Sequence, residues 1–296
     1  MMKALIIGGA GFVGKHLADH LYHVCGWSVC CTKLAGERLE LEYGQVLDLD
    51  ILDAEDTAVK LAAIQPDYIF HLAAQSSVAL SWKRPDLTVD VNIKGAVHIL
   101  EAVRQLSYSP RVLLVGSGEE YGYIKETELP LKEENALRPG NVYAATKVCQ
   151  NMLGHIYAQS YGMDVIMVRA FNIIGPGQLT QFVVSDFCRQ AAEIEAGKKQ
   201  NVLSVGNLSA RRDFTDVRDV VRAYEMLIQA GKSGETYNVG SGRAISIQEL
   251  LEEILRQAAC RIRVAQDPDR MRPSDIPVIE ADTKKLAEVT GWKPEI

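Results

Sequence analysis

"LIIGGAGFVGKHLADHL" (residues 5–21) places Gly8, Gly11 and Gly14 at the junction of an apolar run and an amphipathic one. Apolar continuity makes "KALII" (3–7) a strand buried on both faces, and the spacing that follows predicts a helix over 12–22. At such a junction each glycine has a physical task. Gly8 permits the tight turn, Gly11 lets backbone approach a pyrophosphate, and Gly14 allows close helix–strand packing. The helix N-terminus, with Phe12 and Val13 in its first turn, then faces the negative charge. A glycine triplet alone could be a flexible turn. On the first strand–turn–helix unit it points to a bound dinucleotide.

The alternation continues outward. "SVCCT" (28–32), "GQVLD" (44–48), "YIFHL" (68–72), "RVLLVG" (111–116) and "DVIMVRA" (164–170) read as further buried strands, with helices around 54–64, 86–105 and 142–161 between them. This is an α/β fold, a Rossmann-type doubly wound parallel sheet with its ligand crevice at the carboxyl ends of the strands. After residue 170 the rhythm breaks. The expected division is a dinucleotide-binding domain, 1–170 with 215–242 returning to it, and a smaller, discontinuous C-terminal substrate domain, 171–214 with 243–296.

The 296 residues are 47% hydrophobic and 24% charged, ordinary for a soluble globular chain, and the net charge of −6 argues against a nucleic-acid partner. No apolar run approaches the ~20 residues that span a bilayer, so no membrane partner is expected. The apolar start is short and glycine-broken, unlike a signal sequence. Cys25, Cys30, Cys31, Cys149, Cys188 and Cys260 show no C-x-x-C spacing, and we expect buried free thiols in a reducing cytoplasm. His16 and His20 lie four apart on the first helix, but with no Glu or Cys ligand expected nearby they read as surface residues, and no metal is expected.

The end of the second strand bears on cofactor choice. An acid there would hold a ribose 2′-hydroxyl and a base a 2′-phosphate. Here "CCTKLAGER" supplies Thr32 and Lys33, with Arg38 further on, which favours NADP; NAD stays open, since Lys33 could be a solvated loop cation. In "DLDILD" (48–53), Asp50 could bond the adenine amino group and Ile51 could pack on the ring, while Asp53 suits a helix N-cap.

Two Tyr-x-x-x-Lys matches occur, Tyr121/Lys125 and Tyr143/Lys147, where 11 tyrosines and 15 lysines would give about 0.6 by chance. Gly122 and Pro130 argue against a helix around the first pair. The second pair opens a strongly helical segment, where residues i and i+4 share a face. A lysine at that distance would lower the phenol's pKa by roughly 1–3 units, and the phenol could then deliver a proton to a carbonyl oxygen as hydride arrives. Ser117, after the apolar strand 111–116, could polarise the same oxygen, or merely cap a turn.

Together Gly8/Gly11/Gly14, "HLAAQSSV" (71–78), "GSGEEYG" (116–122) and Tyr143/Lys147 resemble the extended short-chain dehydrogenase/reductases that act on nucleotide sugars. The resemblance runs over essentially the whole chain. It implies a tightly held nicotinamide dinucleotide, catalysis by Ser117, Tyr143 and Lys147, and a cofactor wall of His71, Leu72, Ala73 and Ala74 with Asn92 close by. Asn92 could equally be a mid-helix polar contact.

"VRAFNIIGPGQ" (168–178), "GNLSARRDFTDVRD" (206–219) and "RMRPSDIP" (270–277) are similar to the enzymes of GDP-linked 6-deoxyhexoses, which implies substrate contacts from Asn172, Arg212 and Arg272. Arginine forks suit phosphate oxygens; ion pairs with Asp213, Asp216 and Asp219 are the competing use of this arginine cluster. Within that group the likeness is strongest to the NADPH-dependent 4-keto reductases that form GDP-D-rhamnose. The 4,6-dehydratases are the rival. Their pattern after this strand is a hydroxyl residue, then Ser or Asp, then Glu, where this chain has Ser117, Gly118 and Glu119. Glu119 could still contact substrate in a reductase. A 4-epimerase comes third, and a non-catalytic dinucleotide sensor is the reading outside enzymology. The resemblance also implies a homodimer through the helices near 86–105 and 142–161, and relatives continue past "GWKPEI" (291–296).

Overall fold

The computed structural model describes residues 1–271 and 276–296. Its first half alternates as expected: β1 (Lys3–Ile7), α1 (Phe12–Asp19), β2 (Ser28–Lys33), β3 (Gln45–Asp48), α2 (Ala54–Ile64) and β4 (Tyr68–His71). Next come α3 (Val78–Lys83), α4 (Pro85–Val89), α5 (Gly95–Arg104), β5 (Arg111–Ser117), α6 (Val142–Tyr161) and β6 (Val165–Ala170). Further on are β7 (Asn172–Ile174), α7 (Val183–Glu195), β8 (Val202–Val205), β9 (Arg211–Asp216), α8 (Val217–Ala230) and β10 (Thr236–Val239). The last elements are β11 (Ala244–Ser246), α9 (Ile247–Gln257), β12 (Arg263–Gln266), β13 (Val278–Ile279) and α10 (Lys284–Thr290).

Seven strands form one parallel sheet in the order β10-β6-β5-β4-β1-β2-β3. This is the Rossmann-type doubly wound fold. Its direction reverses between β1 and β4, which opens the crevice at the carboxyl ends of those two strands. One face buries Leu17 from α1, Leu21 just beyond it, and Val220, Tyr224 and Leu227 from α8, and the other buries Leu61, Ile99, Leu100 and Tyr157 from α2, α5 and α6. Cys30 joins the second core and Cys31 the first, because successive strand residues face opposite ways. The expectation of buried thiols holds for these two alone. Cys188 and Cys260 are exposed, and Cys25 and Cys149 are half-buried, because their elements pack fewer layers.

A smaller unit rests at the carboxyl end of the sheet. β9 pairs with β7, β11 and β13, β8 pairs with β12, and α7 and α9 close a separate core around Phe187, Leu203, Val205 and Leu251. Two long helices predicted as continuous are interrupted. Residues His20–Val24 and Asp90–Lys94 each form a π-helical turn, in which the wider i→i+5 bonding re-aims the side chains. Both turns carry polar residues inward, which periodicity alone does not show. Among the described residues no helix is long and apolar enough to cross a membrane.

Candidate active site

The glycine turn is built by steric necessity. Gly8 has φ +90°, and a β-carbon there would meet the Ala73 backbone nitrogen at 2.7 Å; one on Gly14 would meet the Gly8 carbonyl oxygen at 2.6 Å. Leu72 N and Ala73 N both donate to Ile7 O, at 2.9 and 2.8 Å, so the residues after β4 lie against the turn. Gly8 N donates to Thr32 Oγ1 at 3.3 Å, which uses that buried hydroxyl to brace the turn. A cradle that excludes even one methyl group, at the N-terminus of α1, fits a dinucleotide pyrophosphate.

The other residues expected around the dinucleotide fall into place unevenly. Phe12 packs edge-on against His16. Lys33 Nζ is 2.5 Å from Asp48 Oδ1, so its charge already has a partner across the β2–β3 pair. Asp50 is exposed, with Oδ1 accepting from Leu52 N at 2.9 Å. Ile51 differs from expectation. It is 5% exposed and fills the space beside Gly95, where a β-carbon would stand 2.5 Å from its Cδ1, so little of it is left to cover a ring. Asp53 is the N-cap of α2, accepting from Asp56 N at 2.9 Å. Asn92, buried in its π turn, accepts from Gln75 N at 2.8 Å and donates to Thr146 Oγ1 at 2.9 Å, tying the loop after β4 to α6. His71 is buried with both ring nitrogens unpartnered, and burial, then Lys147, holds its pKa down near about 3, so it is neutral.

Asn141 caps α6 by accepting from Ala144 N at 2.8 Å, and Gly162 closes the helix in the left-handed conformation. Tyr143 and Lys147 therefore sit in the first two turns, on the buried side. Their couple is not the one spacing suggested. Lys147, 3% exposed, donates to Val115 O at 2.8 Å and Gln150 Oε1 at 3.0 Å. Burial pushes Tyr143 up to about 12, against the pull of the Ser117 hydroxyl, and lowers Lys147 to about 8. The expected drop in the phenol's pKa is thus reversed, because desolvation outweighs a cation that is engaged elsewhere. Tyr121 and Lys125 stay apart in kind: Tyr121 is buried, donating to Asn238 Oδ1 at 2.7 Å, while Lys125 is exposed in a loop.

Ser117 ends β5 and caps the short 3₁₀ turn Gly118–Tyr121. Its Oγ accepts from Glu119 N at 3.2 Å and its backbone N–H donates to Glu120 Oε1 at 2.8 Å. Capping and proximity to Tyr143 therefore coexist. Glu120 is a residue that sequence reasoning passed over. Fully buried, it accepts from Asn151 Nδ2 and from Arg169 Nε at 2.9 Å, and burial raises its pKa despite that arginine. Arg169 Nη1 continues to Tyr121 Oη at 3.0 Å and Glu133 O at 2.9 Å. The Ser-x-x-Glu spacing of a capping box was the available clue.

Ser117, Gly118 and Glu119 line one cleft with Phe171, Asn172 and Ile279, where β5 and β6 meet the smaller unit. Glu119 Oε2 accepts from Asn141 Nδ2 at 3.2 Å. Arg212 is placed away from that cleft's lining, on β9, donating to Arg211 O at 2.8 Å and Ile276 O at 2.7 Å. Arg272 lies outside the described residues. Chemically, the crevice pairs a dinucleotide cradle with a protonated phenol, a serine hydroxyl and a buried cation.

Residues 5–296 match the family described as GDP-mannose 4,6 dehydratase. The GDP-6-deoxy-D-mannose reductase of Pseudomonas aeruginosa is 35% identical over 294 residues, 99% of this chain and 92% of its own length. The solved structure of RMD from Pseudomonas aeruginosa complexed with NADPH is similar at TM-score 0.88 and 33% identity, covering 100% of this chain and 94% of that one. The UDP-glucose 4-epimerase of Thermus thermophilus, solved in complex with NAD, gives TM-score 0.88 at 28% identity, covering 100% of this chain and 94% of that one.

Proposed function

The chain belongs to the GDP-mannose 4,6-dehydratase family, nucleotide-sugar enzymes of the short-chain dehydrogenase/reductase type, and on that premise we propose that it is an NADPH-dependent reductase of GDP-4-dehydro-6-deoxy-D-mannose. The product would be GDP-6-deoxy-D-mannose. A dinucleotide held along Gly8, Gly11 and Gly14 supplies hydride to carbon 4; NADPH is favoured and NAD is the alternative. The Tyr143 hydroxyl gives its proton to the carbon 4 oxygen, and the Ser117 hydroxyl hydrogen-bonds that oxygen. Lys147 contributes the positive charge of the site and a ribose contact. Asn172, Arg212 and Arg272 hold the diphosphate side of the substrate, within a substrate unit formed by 171–214 and 243–296.

The observation that carries the reductase over the dehydratase is the space at Gly118. A β-carbon there would press on the Phe171 ring at 3.1 Å, so the Ser or Asp of the dehydratase pattern has no room without moving that ring. The Tyr143 phenol, which burial keeps protonated up to about 12, suits the proton delivery that reduction requires.

The test is to incubate the protein with GDP-mannose, and separately with its 4-dehydro-6-deoxy derivative plus NADPH, and to identify the products by NMR. NADPH consumption with the keto-sugar alone is expected. Keto-sugar formed from GDP-mannose without added reductant would show a dehydratase, and unchanged sugar in both arms would show a sensor.

A further inference from the structure

Away from the crevice, the structure assembles three donors that no sequence spacing announced. The π turn His20–Val24 bonds Cys25 N to His20 O at 3.2 Å and folds the Cys25 thiol back under the imidazole, with Sγ 3.6 Å from His20 Nε2. α8 crosses α1 and brings Glu225 Oε2 to 3.6 Å from the same nitrogen. The three donor atoms lie within 4.8 Å of one another. The reading of His20 as a surface residue without Cys or Glu nearby is therefore corrected. His16 goes elsewhere, to the Pro176 carbonyl at 2.9 Å.

From these residues we infer a binding site for one divalent transition-metal ion of the zinc class. Tetrahedral Zn–S and Zn–N bonds of about 2.3 and 2.0–2.1 Å imply a sulfur–nitrogen edge of about 3.6 Å, and the nitrogen–oxygen edge is about 3.4 Å. Two observed edges, each 3.6 Å, match these values, and the third, from sulfur to carboxylate oxygen, is within 4.8 Å and shortens on binding. Imidazole, thiolate and carboxylate suit that class of cation rather than calcium or magnesium. The Gln229 amide hydrogen-bonds Glu225 Oε1, which leaves Oε2 turned to His20 and supplies an outer partner that orients the ligand. The His20 and Glu225 side chains keep 13% and 14% exposure, enough for a water to complete four ligands.

Without a metal, burial and then Glu225 push the Cys25 thiol up to about 11. Binding sends that thiol proton to solvent and moves no electrons. The site lies at the carboxyl end of α1, about 12 Å along the helix from the glycine turn. Its metal is therefore a clasp between α1 and α8 and takes no part in the chemistry.

Cobalt(II) alone is the probe. Full-length protein freed of metal by chelator is titrated with cobalt and followed by absorption, with bound metal counted by elemental analysis. One cobalt per chain with a thiolate-to-cobalt band in the near ultraviolet is expected, and zinc should displace it and raise the thermal midpoint. Cys25→Ser should abolish the band. His20→Asn and Glu225→Gln should each weaken binding about tenfold or more, the loss of one tetrahedral ligand. The paired variant Cys188→Ser/Cys260→Ser, which removes the exposed thiols, should bind as before. Absence of the band, a band that survives Cys25→Ser, or a cobalt affinity unchanged by Glu225→Gln in protein with an unchanged far-ultraviolet spectrum, overturns the site.

Discussion

Lys147 shows how burial, rather than spacing, decides the behaviour of a residue. Its ammonium is enclosed among Val115 O and Gln150 Oε1, and its pKa falls to about 8. A lysine so depressed keeps its charge below about 8 and loses it as pH rises through that value. We expect kcat/KM for keto-sugar reduction to fall across the same interval, since this parameter reports free-enzyme ionisations. Lys147→Met, which roughly conserves volume, should lower the rate and remove that break from the pH profile; a break that persists would assign it to another group. Tyr143→Phe should cost about 10²–10⁴ in kcat with little change in thermal midpoint, measured by NADPH oxidation. At this scale the sequence singled out the pair, and the structure reverses the electrostatics expected of it. Desolvation depends on neighbours distant in the chain, such as Val115, which spacing does not contain.

The glycine turn and the turn after β5 behave as units. Gly14 closes on Gly8 O and on Gly9, so the added methyl of Gly14→Ala must push α1 off the strand. We expect a stability loss of about 1–3 kcal/mol by thermal unfolding, together with weakened NADPH binding by fluorescence titration. Arg169 pins the end of β6 to Glu120 beneath Ser117, with the ion pair almost fully enclosed. Arg169→Met should leave that carboxylate unpaired and cost about 3–5 kcal/mol by denaturant unfolding. The boundaries of β1, α2, α6 and β6 were readable because buried strands run apolar, α2 and α6 carry Asp and Asn caps, and α6 ends on a closing glycine. The π turns at His20–Val24 and Asp90–Lys94 were not. Each depends on what the inward-turned residue meets, Asn92 its partners Gln75 and Thr146, His20 its neighbour Glu225.

For the whole molecule, the outer face of α6 is apolar and left uncovered among the described residues. Met152 is 57% and Ile156 49% exposed, beside a groove lined by Pro139, Val148 and Cys149. Trp82 and Val89 on α3 and α4 are exposed as well. Contiguous apolar surface of this kind marks an association site, and we propose a homodimer formed through the α4–α5 run and α6. A single charge at its centre, Met152→Glu, should convert the dimer to monomer in light scattering coupled to size exclusion. Wild-type protein already monomeric at micromolar concentration would remove the proposal.

What the sequence determined by itself is whatever local sterics and periodicity control: the glycine turn, the buried parallel strands, the capped helix bearing Tyr143 and Lys147, and hence the fold and family. These follow from interactions among residues within a few positions of each other, which a linear pattern records. The tertiary structure alone decided the charge state of the Tyr143–Lys147 pair, the burial of Ile51 behind Gly95, the close approach of Phe171 to Gly118, and the meeting of His20 and Cys25 with Glu225. Each is a contact or a loss of water created by packing between elements that lie far apart along the chain, and it exists only once the sheet has brought them together.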